Sequence, residues 1–247
     1  MGTSERKGRE RAEREQRILD VGRRMLVTQG YHGLSMDRIA GEIEYSKGIV
    51  YQHFSSKDDL LCAISVDLLK EAVSFFRRAS HFSGQARERL TAVAVAAQLL
   101  FRLNPDGFQA QLILWVNSIA EKAPEERQAS LGQLHAEATE IFMGIVRDAV
   151  QRKDLVLPAD LGPLTLVHGM WAMLVGAELL AQTRKTAASF ESLDFGAVTR
   201  RNLQVFWDGL GWKPLSTKWD YEETVRRVLD EQFAEEHEKL LKMGQTP

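Results

Sequence analysis

Lys47, Tyr51, Gln52 and His53 fall within seven residues of one another, in the stretch YSKGIVYQHF at 45–54. They supply hydrogen-bond donors and a fixed positive charge, with no carboxylate or nucleophile set against them. General acid–base chemistry needs such a partner within hydrogen-bond reach, so this cluster suits a polyanion better than a reacting substrate. Val50 and Phe54 lie one helical turn apart between the polar positions, which makes them the inner side of a short helix. Gly48 has no side chain and lets the backbone approach a surface closely. Ile49 would then stand on the outer side with the donors, where an isoleucine facing only water is out of place. A helix fits the DNA major groove, an apolar side chain meets thymine methyls there, and Gln pairs with adenine through two hydrogen bonds.

Other chemistry finds less support. The six histidines (32, 53, 81, 135, 168 and 237) are scattered without ligand spacing, so no metal site is expected. No Gly-rich phosphate loop or nucleophile elbow is present, and neither a catalytic residue nor a cofactor is assigned. The single cysteine, Cys62, excludes an internal disulfide. Its neighbours Leu60, Leu61 and Ile64 mark it as a small buried hydrophobe.

The elements that position the cluster are helical throughout. Ile18, Leu19, Val21, Gly22, Met25 and Leu26 follow a helical period over 12–29, and Gly30 supplies a left-handed stop. Ser35 caps a second helix carrying Met36, Ile39, Ala40 and Ile43. Ser46 caps the third, and Ser55-Ser56-Lys57-Asp58-Asp59 opens a fourth with a variant of the capping box. A three- to four-residue turn before the third helix makes a helix-turn-helix. Ile18, Val21, Met25, Leu26, Ile39, Ile43, Val50, Phe54 and Leu61 form its core, with Tyr45 plugging the turn. The N-termini at Ser35 and Lys57 offer amides and a donor to phosphate oxygens.

Residues 18–64 resemble the N-terminal helix-turn-helix of the tetracycline-repressor (TetR) family of bacterial regulators. The matching pieces are the helix ending in Gly30-Tyr31, then LSMDRIA, YSKGIVYQHF and SKDDLL. The resemblance implies an all-α homodimer, a palindromic double-stranded DNA operator, and a small-molecule effector held in a variable C-terminal domain. It places Ser35, Lys47, Gly48, Tyr51, His53 and Lys57 at DNA-facing positions, with Tyr51 and Lys57 on phosphates. Ile49 and Gln52 match positions that vary within the family and read bases, and Ser46, at the start of the same helix, completes the candidate DNA-binding set. The turn departs from the usual Ala-Gly-Val-Ser: Ile43-Glu44-Tyr45-Ser46 puts Glu44 where a left-handed glycine belongs, at a cost of about 1 kcal/mol. An altered turn is expected, with a carboxylate near the DNA backbone.

At 247 residues, 44% hydrophobic and 27% charged, the chain has ordinary globular composition. A net charge of −2 leaves room only for a local basic surface. Residues 1–17 hold six basic and four acidic side chains, read as a flexible arm over 1–11. The domain reading is this arm, a DNA-binding domain at 12–65, and a helical effector-binding and dimerisation domain at 66–247. Amphipathic segments are expected at 84–103, 105–121, 124–153, 160–184, 190–210 and 217–242, with a break around Ser189. The most apolar, 160–184, reads as a helix buried on all sides rather than a membrane span. With the following segment it also suits a dimer bundle. Tyr221, Val225, Val228, Leu229 and Phe233 form a docking stripe on the last segment.

An effector pocket is expected from Phe108, Gln111, Leu112 and Trp115 on one helix, Phe142 and Met143 on another, and His168, Met170 and Trp171 on a third. The functional expectation is a dimeric, cytoplasmic transcriptional regulator without membrane attachment, a repressor released by an apolar or aromatic effector. The rival is a helical small-molecule-binding protein or enzyme with a vestigial helix-turn-helix, for which Glu44 is the one argument.

Overall fold

The computed structural model describes residues 3–182 and 193–244. Among them no strand occurs. The first helix, α1 (Thr3–Gly33), runs through the segment expected as a flexible arm. The reason is local: Arg6 pairs with Glu10 at 3.4 Å and Arg9 with Glu13 at 3.9 Å, the i,i+4 spacing that supports an exposed helix. Near its other end the helix kinks at Gly30, where φ is 72°. The expected stop is therefore a bend, and one more turn of helix follows it.

Three helices follow in close succession: α2 (Met36–Glu42), α3 (Lys47–His53) and α4 (Lys57–Ser80). The caps fall where the serines sit. Ser35 accepts from the Arg38 amide at 3.3 Å and Ser46 from the Ile49 amide at 3.4 Å. At the start of α4, Ser56 Oγ accepts from the Asp59 amide at 3.1 Å, and the Asp59 carboxylate accepts in return from Ser55 N at 2.8 Å. Each closes a free amide of a first turn.

The chain divides into two compact units. The first comprises residues 1–71 and 104–135, the second 72–103 and 136–247. The domain boundary expected at 65 thus moves, because 104–135 returns to the N-terminal helices. That returning segment holds α6 (Pro105–Val116), a 3-10 turn (Ile119–Lys122) and the start of α7 (Glu125–Gln151). Ser118, in a left-handed conformation with φ 49°, separates the two helical pieces, so the helix expected over 105–121 is broken. The core of this unit joins Ile18, Leu26, Ile39, Val50, Phe54 and Leu61 to Ala110 and Leu114 of α6. Gly22 brings α1 and α4 together: a Cβ there would stand 3.2 Å from Ile64 Cδ1. Cys62 is fully buried, and burial pushes its thiol up.

The second unit packs α5 (Ala86–Leu103), α8 (Pro163–Gln182), α9 (Phe195–Gly209), α10 (Tyr221–Gln232) and α11 (Ala234–Lys242) with the rest of α4 and α7. The break expected around Ser189 lies outside the described residues. The segment expected at 217–242 is two helices, because Phe233 turns its ring fully inward against Phe75, 5.6 Å between centroids. Tyr221, Val225, Val228, Leu229 and Phe233 are all buried. α5 is anchored by Arg87, wholly buried, which donates to Gln204 Oε1 at 2.7 Å and meets Asp208 at 2.8 Å. A buried cation persists where such partners satisfy it.

α8 departs from expectation. It is apolar enough to cross a membrane by length and composition, yet only 22% of its most apolar stretch is buried. Leu164, Leu179 and Leu180 stand about half exposed. One side packs on α9, where Gly169 admits the Phe206 ring. The helix also meets α5, and Trp171 packs on Phe76 and Phe142.

Candidate nucleic-acid interface

The α2–α3 turn decides whether the reading helix is held rigidly. Glu44 adopts φ 58°, the conformation that favours glycine. Around it, the Tyr45 amide donates to Ala40 O at 3.0 Å and the Glu44 amide to Gly41 O at 3.4 Å. This is the two-bond Schellman closure of a helix C-terminus, with glutamate in the glycine's place. Tyr45 is half-buried against the core, and the Arg17 guanidinium lies 5.7 Å from its ring centroid. The turn keeps its hydrogen bonds despite the substitution, which removes the one argument for a vestigial motif.

α3 has two distinct sides. Val50 and Phe54 are fully buried, whereas Lys47, Gly48, Tyr51 and Gln52 are exposed and Ile49 half so. Tyr51 leaves 49% of its surface open, a large ring that the described residues cover only about half. Lys47 is tethered to Asp37 of α2 at 2.5 Å, so one ion pair links the two helices of the motif at its surface. Ser35 and Ser46 serve as caps.

His53 departs from the outward position that the resemblance implies. Its side chain is only 6% exposed, with Nδ1 3.5 Å from a Glu15 carboxylate oxygen on α1. It ends α3 by turning toward α1, since Phe54 must enter the core directly after it. Lys57 is half-buried: its ammonium donates to the Tyr31 carbonyl and lies 4.2 Å from the Tyr31 ring centroid. Burial lowers its pKa, and Asp58 opposes this.

Support from behind the motif was not legible in the sequence. Arg127, at the start of α7, donates to Asp59 Oδ1 at 2.9 Å and lies 5.6 Å from the Phe54 ring centroid. It ties the α4 capping carboxylate to a residue almost seventy positions later. No local pattern announces such a partner.

The residues expected to line an effector pocket fall in both units. In the first, Phe108 is buried, Leu112 is half-buried, Gln111 accepts from Ser65 Oγ at 3.1 Å, and Trp115 is 41% exposed. In the second, Trp171 stands edge-on to Phe142 at 6.2 Å, Met170 is buried, Met143 is half-buried and His168 is exposed. Phe76 and Phe101 complete that cluster, 5.7 and 6.2 Å from the Trp171 ring. Beside Phe101 in sequence, Arg102 has its pKa lowered by burial and opposed by Glu178 of α8, whose carboxyl burial raises. Among the described residues no group of His, Cys, Asp or Glu is arranged to hold a metal ion.

A buried-backed helix with a polar outer face, capped and closed in this order, defines a helix-turn-helix DNA-binding regulator. Residues 18–64 match the family model of bacterial regulatory proteins named tetR. It is 28% identical over 206 residues to the HTH-type transcriptional activator FasR of Mycolicibacterium smegmatis, covering 83% of this chain and 87% of that one. It is 27% identical over 189 residues to the HTH-type transcriptional regulator UidR of Escherichia coli, covering 74% and 92%. A putative transcriptional regulator from Pseudomonas aeruginosa shares the fold with a TM-score of 0.66 at 20% identity, over 84% of this chain and 95% of that one. PfmR, a TetR-family regulator from Thermus thermophilus, does so with a TM-score of 0.60 at 21% identity, over 78% and 98%. The curated relatives are named as HTH-type transcriptional regulators, and residues 18–64 give this chain the helix-turn-helix of a DNA-binding regulator.

Proposed function

We propose that the protein acts in the cytoplasm as a homodimer on a palindromic operator, each subunit laying α3 in one major groove. The observation that carries this reading is the exposed Lys47–Gln52 face over a fully buried Val50 and Phe54. Gln52 and Ile49 read base edges, while Lys47, Tyr51 and Lys57 hold phosphates, with the capped starts of α2 and α4 beside them. His53, its side chain buried at the end of α3 with Nδ1 3.5 Å from Glu15, is left out of the DNA-contacting set. The open apolar side of α8, with Val198 and Val205 exposed on α9, supports pairing of subunits through those helices. An area of that kind left to water marks an interaction surface.

The effector of this reading is small and apolar or aromatic, received around Trp171, Phe142 and Met143 in the second unit. Arg102 and Glu178 are the polar groups that such a ligand would meet there. Its binding shifts the population between two dimer shapes by differential affinity. Repression follows from occupancy of a promoter by the dimer; a relative named as an activator keeps the opposite sign a second reading. Tyr51→Ala tests the docking: affinity for all sequences falls, while the salt dependence, set by the cations, is kept. A reporter behind the protein's own promoter, with and without the gene, decides the sign.

A further inference from the structure

One face of α1 changes character along its length. Ile18, Val21 and Met25 lie on a seam of alternating three- and four-residue steps and are buried in the first unit. Continued toward the N-terminus, the same steps reach Arg14, Arg11 and Lys7. Residues 5–13 are exposed along their whole run and Arg14 is half-buried, so the seam goes on as cations that lose their cover among the described residues from Arg14 outward. The charges on the flanks of this overhang are neutralised, by Arg6–Glu10 and Arg9–Glu13. Lys7 and Arg11 make no ion pair among the described residues. Arg14 spends only its Nε on the Glu10 carbonyl, at 3.0 Å.

Two interactions fix where the overhang begins. Glu15 faces His53 at the end of α3, and Arg17 lies over Tyr45 just before it. α1 therefore leaves the body of the unit beside the reading helix. From Arg14 to Lys7 it advances about 10 Å at 1.5 Å per residue. One DNA strand presents a phosphate every 3.4 Å along the axis, so that length passes on the order of three phosphates.

We propose that Lys7, Arg11 and Arg14 form a second DNA-binding surface, gripping the backbone of duplex DNA that flanks the half-site read by α3. The inference rests on the docking of α3 proposed above. It assigns the cationic seam to phosphate binding, without sequence preference. Charge complementarity selects the occupant: three unpaired cations in line on a rigid helix fit a line of phosphates.

The test compares the full-length protein with the K7Q/R11Q/R14Q variant on an operator duplex selected by the wild type. A control variant carries three Gln substitutions at the exposed Arg226, Lys239 and Lys242 of α10 and α11. Circular dichroism verifies that both remain helical. Every phosphate that the protein ceases to neutralise lowers the slope of log affinity against log salt by about 0.9, so the slope of the seam variant falls by about 2 to 3 per subunit. Its hydroxyl-radical footprint shrinks at the outer edges, and the sequence preference is kept. A slope and footprint equal to those of the control overturn the inference and leave the α3 docking standing. Absence of any salt-sensitive, sequence-selective complex with the wild type removes both.

Discussion

Glu44→Gly separates the two consequences of placing a glutamate at φ 58°. An L-residue in the left-handed region costs about 1–2 kcal/mol relative to glycine. Glycine returns part of this through the larger entropy of the unfolded chain, about 0.4–1 kcal/mol. The carboxylate makes no ion pair among the described residues, so nothing else is lost, and a net gain of about 0.5–1 kcal/mol remains. For a chain of this size that raises the melting temperature by about 2–4 °C per kcal/mol. Glu44→Ala is the control, because it removes the charge and keeps the strained backbone. It gains no stability. DNA affinity responds differently: a charge about 10 Å from a phosphate in water is worth about 0.4 kcal/mol before screening. Both variants therefore tighten binding by twofold or less. Scanning calorimetry together with fluorescence anisotropy on a labelled operator reads both effects. Equal stabilisation by Ala and Gly, or destabilisation by Gly, refutes the assignment of strain to this turn.

Phe54→Ala empties the centre of the first unit and costs about 3–5 kcal/mol, read by urea denaturation. Arg127→Met leaves the Asp59 carboxylate without its 2.9 Å partner and lowers stability by about 1–3 kcal/mol, while DNA preference is kept in selection experiments. Asp208 is raised by desolvation, but hydrogen bonds from Ser216 and Arg87 outweigh this and hold its pKa below the usual value. A depressed carboxyl contributes stability above its unfolded pKa of about 3.9 and loses it as pH falls through the folded value. Stability of the wild type therefore declines through this acid window more steeply than that of Asp208→Asn, measured by denaturation at stepped pH.

The first unit was the more legible because its information is local. Ser35, Ser46 and Ser56 announce helix starts within three residues of the amides they cap, and Val50 and Phe54 announce the inner side by spacing alone. His53 escaped that logic. Its place next to Phe54 suggested the outer face, but the turn into the core rotates it toward Glu15, far away along the chain. The second unit was legible as helices and little further. Trp171, Phe142 and Met170 carried the right composition for a cluster, yet Phe76 and Phe101 joined it through long-range packing that no period encodes. α8 misled in an instructive way: an apolar circumference says that a helix avoids water, and it does not say which molecule supplies the cover.

The most direct test of the account is operator selection from random duplexes with the wild type and with Gln52→Ala. If the outer side of α3 meets base edges, the variant loses preference at one or two positions in each half-site, and its salt dependence stays that of the wild type. An unchanged selected sequence would place Gln52 away from the bases and contradict the reading of the helix.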